Sequence, residues 1–342
     1  MNKIVIATDM WRPEVNGVVR AIEGVLPFLE KNNFKIVIIH PELFFTMPFF
    51  FYPDIRIPLF PKKIVRKIIE KEKPDYIHIV TEGMIGLAAR AICLQKGINF
   101  TTAYHGNIPD YMEHYIKIRV SFIVKLAYAY FRWFHNSASK TIVSTKSLKQ
   151  KLEGRGFTNV AVCPFGVDAG LFVRNLQLSI QKYKNFVPPV FVYFGRVAVE
   201  KNIEEFLECN LPGTKLVIGD GPARKKLEKK YKGKAIFIGW KTGKELVDML
   251  SLCDVFVFPS KTDTFGFVII EALACELPVA AHNVMGPKDI ITNGVDGYLD
   301  EDLKKAALLC LNLSRENCRK KALEFSWKSS AESFINNLVK TE

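Results

Sequence analysis

DVFVFPSKTDTFGFVIIEALACELPVAAHNVMGPKD, residues 254–289, reads as a strand, a loop, a helix and a second strand. From Asp254 to Pro259 the residues are apolar, β-branched or aromatic, which suits a strand buried on both faces of a parallel sheet. The polar loop Ser260-Lys261-Thr262-Asp263-Thr264 follows. Phe265-Gly266 then opens a pattern in which Val268, Ile269, Ala272, Leu273 and Cys275 recur at helical spacing, and Pro278 starts the apolar run Val279-Ala280-Ala281. In open parallel sheets ligands sit beyond the carboxyl ends of strands. A helix start after such a loop offers N–H groups and a positive dipole end to an anion such as a diphosphate. Asp263 precedes this helix and Glu271 issues from its second turn. Acceptor-only groups beside a phosphate-friendly helix start suit sugar hydroxyls. The spacing alone is equally that of a solvated loop acid and a helix-surface Glu.

The rest of the chain repeats this grammar. Strand-like runs at residues 4–8, 35–40, 75–81, 100–104, 141–144 and 160–164 alternate with helical stretches, and a second series lies at 190–194, 215–218, 235–238, 255–258 and 279–281. Such alternation predicts βαβ units and parallel sheets. Over residues 167–189 periodicity fades around Pro188-Pro189, so these residues are expected to link a domain 1–166 to a domain 190–325. A length of 342 residues agrees with two domains at about 150 residues each. The expected fold class is α/β, two Rossmann-like domains facing across a cleft.

Lys and Arg outnumber Asp and Glu by 48 to 35, a net charge of +13. That excess calls for an acidic partner: nucleic acid, anionic lipid or a phosphorylated substrate. No nucleic-acid recognition motif supports the first. Seven cysteines without a C-x-x-C pair suggest neither a zinc site nor a disulfide framework, so a reducing cytoplasm is expected. Met1-Asn2-Lys3 leads straight into a strand, so no signal peptide is expected, and Lys125 and Arg132 interrupt the longest apolar candidate for a membrane span.

Four further loops draw attention. The loop after residues 190–194 reads Gly195-Arg196-Val197-Ala198-Val199-Glu200-Lys201-Asn202; a strand-end Gly admits a ligand to the backbone, and two cations can meet a diphosphate. Gly219-Asp220-Gly221-Pro222 ends the next strand. His105 closes the run 100–104, a strand end where function collects. Gly17 opens the first helix after a Gly-poor loop that disfavours a NAD-type fingerprint; a simple tight turn reads the same way.

The run TDTFGFVIIEALACELPVAA resembles the acid-x7-Glu segment of family 4 retaining glycosyltransferases with the GT-B fold, and the resemblance covers nearly the entire chain. It implies that Asp263 contacts the donor sugar and Glu271 the ribose, with Phe265, Gly266 and Phe267 between them in the donor site. Gly195, Arg196 and Lys201 match the family's G-R-x-x-x-x-K-N motif, whose Arg and Lys neutralise the leaving diphosphate. Gly219 and Gly221 resemble its G-x-G-P turn near the nucleotide, and Gly17 falls in a loop near the donor phosphates and acceptor. His105, in its T-x-Y-H-x-x-x-P context, matches a His beside the donor sugar. The implied catalytic set is His105, Arg196, Lys201 and Asp263.

The chain departs from the family pattern in several places. Asp263 stands where Glu is usual and Gly106 where Thr is commoner. Glu276 occupies a helix end where a small residue is usual; a left-handed backbone there costs about 1 kcal/mol relative to Gly. Met285-Gly286-Pro287-Lys288-Asp289 replaces a G-G-x-P-E run. That version, with PEVNGVVR, TEGMIGLAAR and RVAVEKN, resembles the branch that glycosylates diacylglycerol-type lipids, the sulfoquinovosyltransferase-like and lipid mannosyl- or glucuronosyltransferases. A last helix, expected over residues 329–338, crosses back onto the first domain in this fold.

The resemblance thus implies a hexosyltransferase using a UDP- or GDP-sugar as co-substrate, without a cofactor and independent of metal, since cationic side chains can do a metal's electrostatic work. Residues 111–135 interleave Tyr115, Ile116, Phe122, Ile123, Leu126, Tyr130, Phe131, Trp133 and Phe134 with Lys117, Arg119, Lys125 and Arg132. This suits a membrane interface, and equally a core helix pair with a solvated basic edge. The run LFFTMPFFFY at 43–52, if exposed, is a patch that an acyl chain would explain, whereas 62–69 reads as a core-facing helix with solvated lysines. The expected partners are the donor, a lipid acceptor such as diacylglycerol or a glycosyl-diacylglycerol, and an anionic membrane surface reached from the cytoplasmic face, with no nucleic acid. A soluble or polysaccharide acceptor, a sugar-nucleotide epimerase, and a peripheral membrane scaffold with an idle nucleotide cleft are the other readings of these residues.

Overall fold

The computed structural model describes residues 1–12, 16–49, 52–106, 121–175, 177 and 186–342. Residues 50–51 of the aromatic run and 107–120, ahead of and within the basic aromatic segment, lie outside them. The chain divides into two units, Met1–Phe165 with Trp327–Glu342, and Gly166–Ser326.

In the first unit the order is β1 (Asn2–Ala7), α1 (Gly17–Lys31), β2 (Phe34–Ile39), β3 (Thr46–Phe49), β4 (Tyr52–Pro58), α2 (Lys62–Glu72), β5 (Tyr76–Ile79), α3 (Met84–Lys96), β6 (Thr101–Ala103), α4 (Ser121–His135), β7 (Lys140–Val143), α5 (Lys146–Gly154) and β8 (Val160–Val162). The parallel sheet runs β2-β1-β5-β6-β7-β8. Ile4, Val5, Ile6, Ile77 and Ile79 are buried, because helices cover both faces, and this is why these strands read as unbroken apolar runs. The side chain of Asn16 caps α1 by accepting from the N–H groups of Val18 and Val19. The helix then buries Val19, Ile22, Val25 and Leu29 at helical spacing. α2 buries Val65 and Ile69 and leaves its lysines outside, the core-facing arrangement expected of residues 62–69.

The second unit contains β9 (Val190–Phe194), α6 (Ile203–Glu208), β10 (Thr214–Ile218), α7 (Arg224–Lys230), β11 (Ile236–Gly239), α8 (Gly243–Ser251), β12 (Val255–Phe258), α9 (Phe267–Ala274), β13 (Val279–Ala281), α10 (Pro287–Ile290), β14 (Gly297–Leu299), α11 (Leu303–Cys310) and α12 (Arg315–Leu323). Its parallel sheet runs β11-β10-β9-β12-β13-β14. The described residues just after 165 pack with this unit: the Arg319 guanidinium donates to the carbonyls of Ala169 and Phe172. Glu276, just past α9, has φ +61°, a left-handed backbone that carries the cost noted for a non-Gly residue, and its carboxylate lies 3.7 Å from Arg174.

Two features differ from expectation. β3 and β4 form an antiparallel hairpin apart from the main sheet, concealed in the sequence by Pro48 and by an aromatic run without alternation. β14 adds an edge strand three residues long, too short for a periodicity to register.

After the second unit the chain returns to the first as α13 (Trp327–Asn337). Ala331 and Phe334 join Ile4, Ile6 and Ile22 in one core, and Phe334 meets His78 edge-on at 4.9 Å. The Trp327 ring lies against Gly24 of α1 so closely that a Cβ there would fall 2.3 Å from it. Gly24→Ala is therefore expected to destabilise the protein by about 1–3 kcal/mol through overpacking. Urea denaturation midpoints check this, and an unchanged midpoint would mean that the indole shifts aside without cost.

Candidate functional site

Strand order in the second sheet reverses between β9 and β12: β10 and β11 lie to one side, β13 and β14 to the other. The loops leaving these two strands flank a crevice, the place where open parallel sheets bind ligands. Both loops carry expected site residues. Lys201 closes the β9 loop and Asp263 lies in the β12 loop, and the Lys201 ammonium donates to Asp263 Oδ1 at 2.5 Å. Asp263 Oδ2 is buried and has no hydrogen-bond partner among the described residues. The Arg196 side chain is largely exposed, with Nε 3.9 Å from a Glu200 carboxylate oxygen.

The β9 and β10 loops approach each other backbone to backbone. Val197 N–H donates to the Asp220 carbonyl at 2.8 Å, and Ala223 N–H to the Val197 carbonyl at 3.1 Å. A Cβ on Gly219 would fall 1.9 Å from the Gly195 carbonyl oxygen, and one on Gly221 2.4 Å from that of Val197. Those two glycines therefore set the loop spacing. Gly195 has more room, its nearest side-chain atom lying 3.6 Å from where a Cβ would stand. In the β12 loop Phe265 is buried between Phe267 at 5.7 Å and Phe325 at 6.0 Å, and Gly266, with φ +92°, turns the chain into α9. Glu271 follows within α9 and is buried.

Sequence reasoning missed a layer beside this pair. Glu205 of α6 lies 3.1 Å from the Lys261 ammonium and 2.9 Å from His282 Nε2, and it accepts from Asn202 Nδ2 at 2.5 Å. It thereby ties the β9, β12 and β13 loops to one carboxylate. No local motif marks it, because its partners come from three separate loops. An Asp-x-Asp run, Asp300-Glu301-Asp302, is used structurally: Asp300 pairs with Lys305 at 2.7 Å and Asp302 caps α11. Among the described residues no three His, Cys, Asp or Glu side chains converge as a metal-holding group.

Gly17 and His105 belong to the first unit. Its sheet order reverses between β1 and β5. Gly17 is exposed and opens α1. Asp9, just after β1, accepts from the Thr81 hydroxyl at 2.8 Å and from the N–H groups of Ile85 and Gly86 at 2.7 and 3.2 Å, capping α3. Burial raises its pKa against the lowering effect of those bonds. Glu82, after β5, lies 3.0 Å from Nε2 of the fully buried His135, whose Nδ1 is 2.9 Å from Thr102 Oγ1. His105 follows β6 and stacks on Phe165 at 5.8 Å. On α4, Phe122, Leu126, Tyr130 and Trp133 form an exposed stripe at helical spacing, while Val124, Tyr128, Phe131 and Phe134 face the core. One member of the basic edge is used structurally, Arg132, which donates to the Arg155 carbonyl, and Trp133 lies under the Arg90 guanidinium of α3, 3.8 Å from its ring centroid. No helix among the described residues is long and apolar enough to cross a membrane.

Burial holds His105 at about 4 and His78 at about 3, against about 6.5 for a solvated imidazole. The unfolded chain takes up these protons first as pH falls. The stability carried by the neutral rings is complete above about pH 6.5 and is lost as pH falls through 4. Denaturation midpoints compared at about pH 7 and about pH 4.5 are expected to show a smaller acid loss for His105→Gln than for the parent chain. An equal loss in both would contradict an imidazole that its partly buried setting keeps neutral.

Comparison with known proteins gives this geometry a family. Residues 15–171 match Glycosyltransferase Family 4 and residues 179–322 match Glycosyl transferases group 1. Sulfoquinovosyl transferase SQD2 of Arabidopsis thaliana is 31% identical over 74% of this chain, and the matched span is 51% of its own length, so the chain covers about half of that relative. GDP-mannose-dependent alpha-mannosyltransferase of Mycobacterium tuberculosis is 25% identical over 87% of this chain and 83% of its own length. Alpha-monoglucosyldiacylglycerol synthase of Acholeplasma laidlawii is 25% identical over 81% and 79%. The crystal structure of Anabaena HepE in complex with UDP superposes with a TM-score of 0.73 at 15% identity, covering 98% of this chain and 99% of that one, a likeness of fold. The chain belongs to the GT-B glycosyltransferases built from a family 4 domain and a group 1 domain.

Proposed function

We propose that this glycosyltransferase moves a hexose, with retention of configuration, from a UDP- or GDP-sugar to a membrane lipid such as diacylglycerol or a glycosyl-diacylglycerol. The observation that carries the donor half is the Lys201–Asp263 pair at the strand-order reversal. Lys201 keeps further N–H donors for a diphosphate, and the buried Asp263 Oδ2 can accept from a sugar hydroxyl. On this reading Arg196, Lys201 and the α9 N-terminus at Gly266 stabilise negative charge growing on the departing diphosphate. Asp263 and His105 hold the donor sugar, and Glu271 serves the ribose. Gly195, Gly219 and Gly221 keep the loop backbone close to the nucleotide, with Phe265 and Phe267 beside it and Gly17 near the phosphates.

In the transfer step the bond from the anomeric carbon to the diphosphate oxygen breaks. The acceptor oxygen bonds to that carbon from the same face, and its proton passes to the departing phosphate oxygen. Two side-chain cations supply the electrostatics, so this reading requires no metal ion.

The lipid half rests on the exposed stripe of α4, on the net charge of +13, and on the relative named for a monoglucosyldiacylglycerol. Aromatic rings beside Lys and Arg sit well at headgroup level, and the cations favour an anionic surface. We therefore place the protein peripherally on the cytoplasmic face of a membrane.

Purified protein incubated with anionic liposomes containing diacylglycerol and with radiolabelled UDP- and GDP-sugars is expected to place label in the extracted lipid with one donor, undiminished by EDTA. Label confined to soluble products would overturn the lipid half, loss of transfer with EDTA the metal-free step, and no turnover with any donor the whole reading. Lys201→Ala and Glu271→Ala are each expected to weaken UDP or GDP binding about tenfold or more, about 1.4 kcal/mol, by titration calorimetry. Unchanged affinity in both would remove the donor-site assignment.

A further inference from the structure

We propose that Glu82, held in place by His135, binds the hydroxyl groups of the acceptor at the carboxyl edge of the first unit's sheet. The proposal rests on the transferase reading above and adds the residue that receives the acceptor's head group.

The loops after β1 and β5 flank the reversal of strand order in this sheet, and each carries one carboxylate, Asp9 and Glu82. Asp9 is committed. Its oxygens take the Thr81 hydroxyl and the amides of Ile85 and Gly86 in the first turn of α3. Among the described residues the Glu82 side chain takes none of the α3 amides, and those of Ile85 and Gly86 are held by Asp9. Its side chain is partly exposed, and among the described residues its hydrogen-bonding contact is with His135, through Oε1.

That contact is costly to build. The His135 ring is fully buried, with Tyr104, Phe131, Phe134 and Phe157 centred 5.1–6.4 Å from it. An imidazole in such surroundings loses its hydration and must be paired at both nitrogens. Nε2 faces Glu82 Oε1 at 3.0 Å, and Nδ1 faces the hydroxyl of Thr102 on β6 at 2.9 Å, which in turn donates to the Thr141 hydroxyl. A chain of polar groups running through the core thus ends by fixing one carboxylate oxygen at a solvent-reachable edge. The other oxygen is left to accept from a ligand, and a pair of hydroxyls on a glycerol or hexose head group suits it.

The surroundings fit a lipid carrying that head group. The Tyr130 hydroxyl donates to the Glu82 carbonyl at 2.7 Å, and Tyr130 belongs to the exposed stripe with Phe122, Leu126 and Trp133. The stripe therefore runs up to Glu82. Apolar chains on α4 and hydroxyls on the carboxylate are parts of one molecule's footprint.

The test uses full-length protein and the acceptor that labels in the liposome assay, with glycerol and glucose as soluble probes. Glu82→Gln, which keeps the shape and an oxygen for His135, is expected to raise the acceptor KM about tenfold or more while leaving UDP or GDP affinity within about twofold. His135→Phe, which fills the ring volume without the polar link, is expected to move the acceptor KM in the same direction, with nucleotide affinity again unchanged. An unchanged acceptor KM in Glu82→Gln, or an equal loss of nucleotide affinity, would overturn the role of Glu82 and leave lipid transfer standing. Wild-type transfer to a soluble probe alone would instead overturn the lipid reading, and the Glu82→Gln comparison on that probe would still decide the proposal. Absence of transfer to any acceptor would overturn both.

Discussion

A half-buried ion pair joins the two loops on which the second unit's chemistry depends. Lys201 and Asp263 are far apart in sequence, yet all strands of the sheet run in one direction, so every strand ends at the same edge and distant loops meet there. Each member limits the other. A carboxylate in that position without its cation would be left poorly compensated, and a lysine without the carboxylate would swing freely in solvent. The Glu205 layer beside it adds a second tie through Lys261, His282 and Asn202, so the loops are set before any ligand arrives. Fixed charges of this kind stabilise a developing charge without the reorganisation that water would need.

The first unit follows the same logic with different groups. Asp9 satisfies the start of α3 from across the sheet, and Thr102 and His135 brace Glu82 from below. In both units a buried polar side chain orients a more exposed one, and the apolar core around the former keeps it from alternative partners.

Much of this was legible in the sequence where a residue's neighbours along the chain decide its fate. β9, β12 and β13 fall at the expected residues because strands buried on both faces leave uninterrupted apolar runs. The left-handed backbone at Glu276 was hinted at only by the family resemblance, which puts a small residue at that helix end. The loops of Lys201 and Asp263 stood out through their resemblance to family motifs, and the structure brings the two side chains together. Glu205, His282, Glu82 and His135 could not be found that way. Their significance lies in partners on other elements, and in the linear sequence each is an ordinary acid or a lone histidine. The hairpin of β3 and β4 was hidden by composition, because an aromatic run with a proline shows no period to count.

The placement of Trp327 over Gly24 carries a consequence for how the chain is made. Residues 327–337 cover a face of α1 that belongs to the start of the sequence, with the whole second unit intervening. On the ribosome, the early unit must wait with that groove uncovered while 166–326 emerge, and those residues can close their own sheet first. The half begun first is thus completed last, and its Ile4, Ile6 and Ile22 core is sealed only when the final helix arrives.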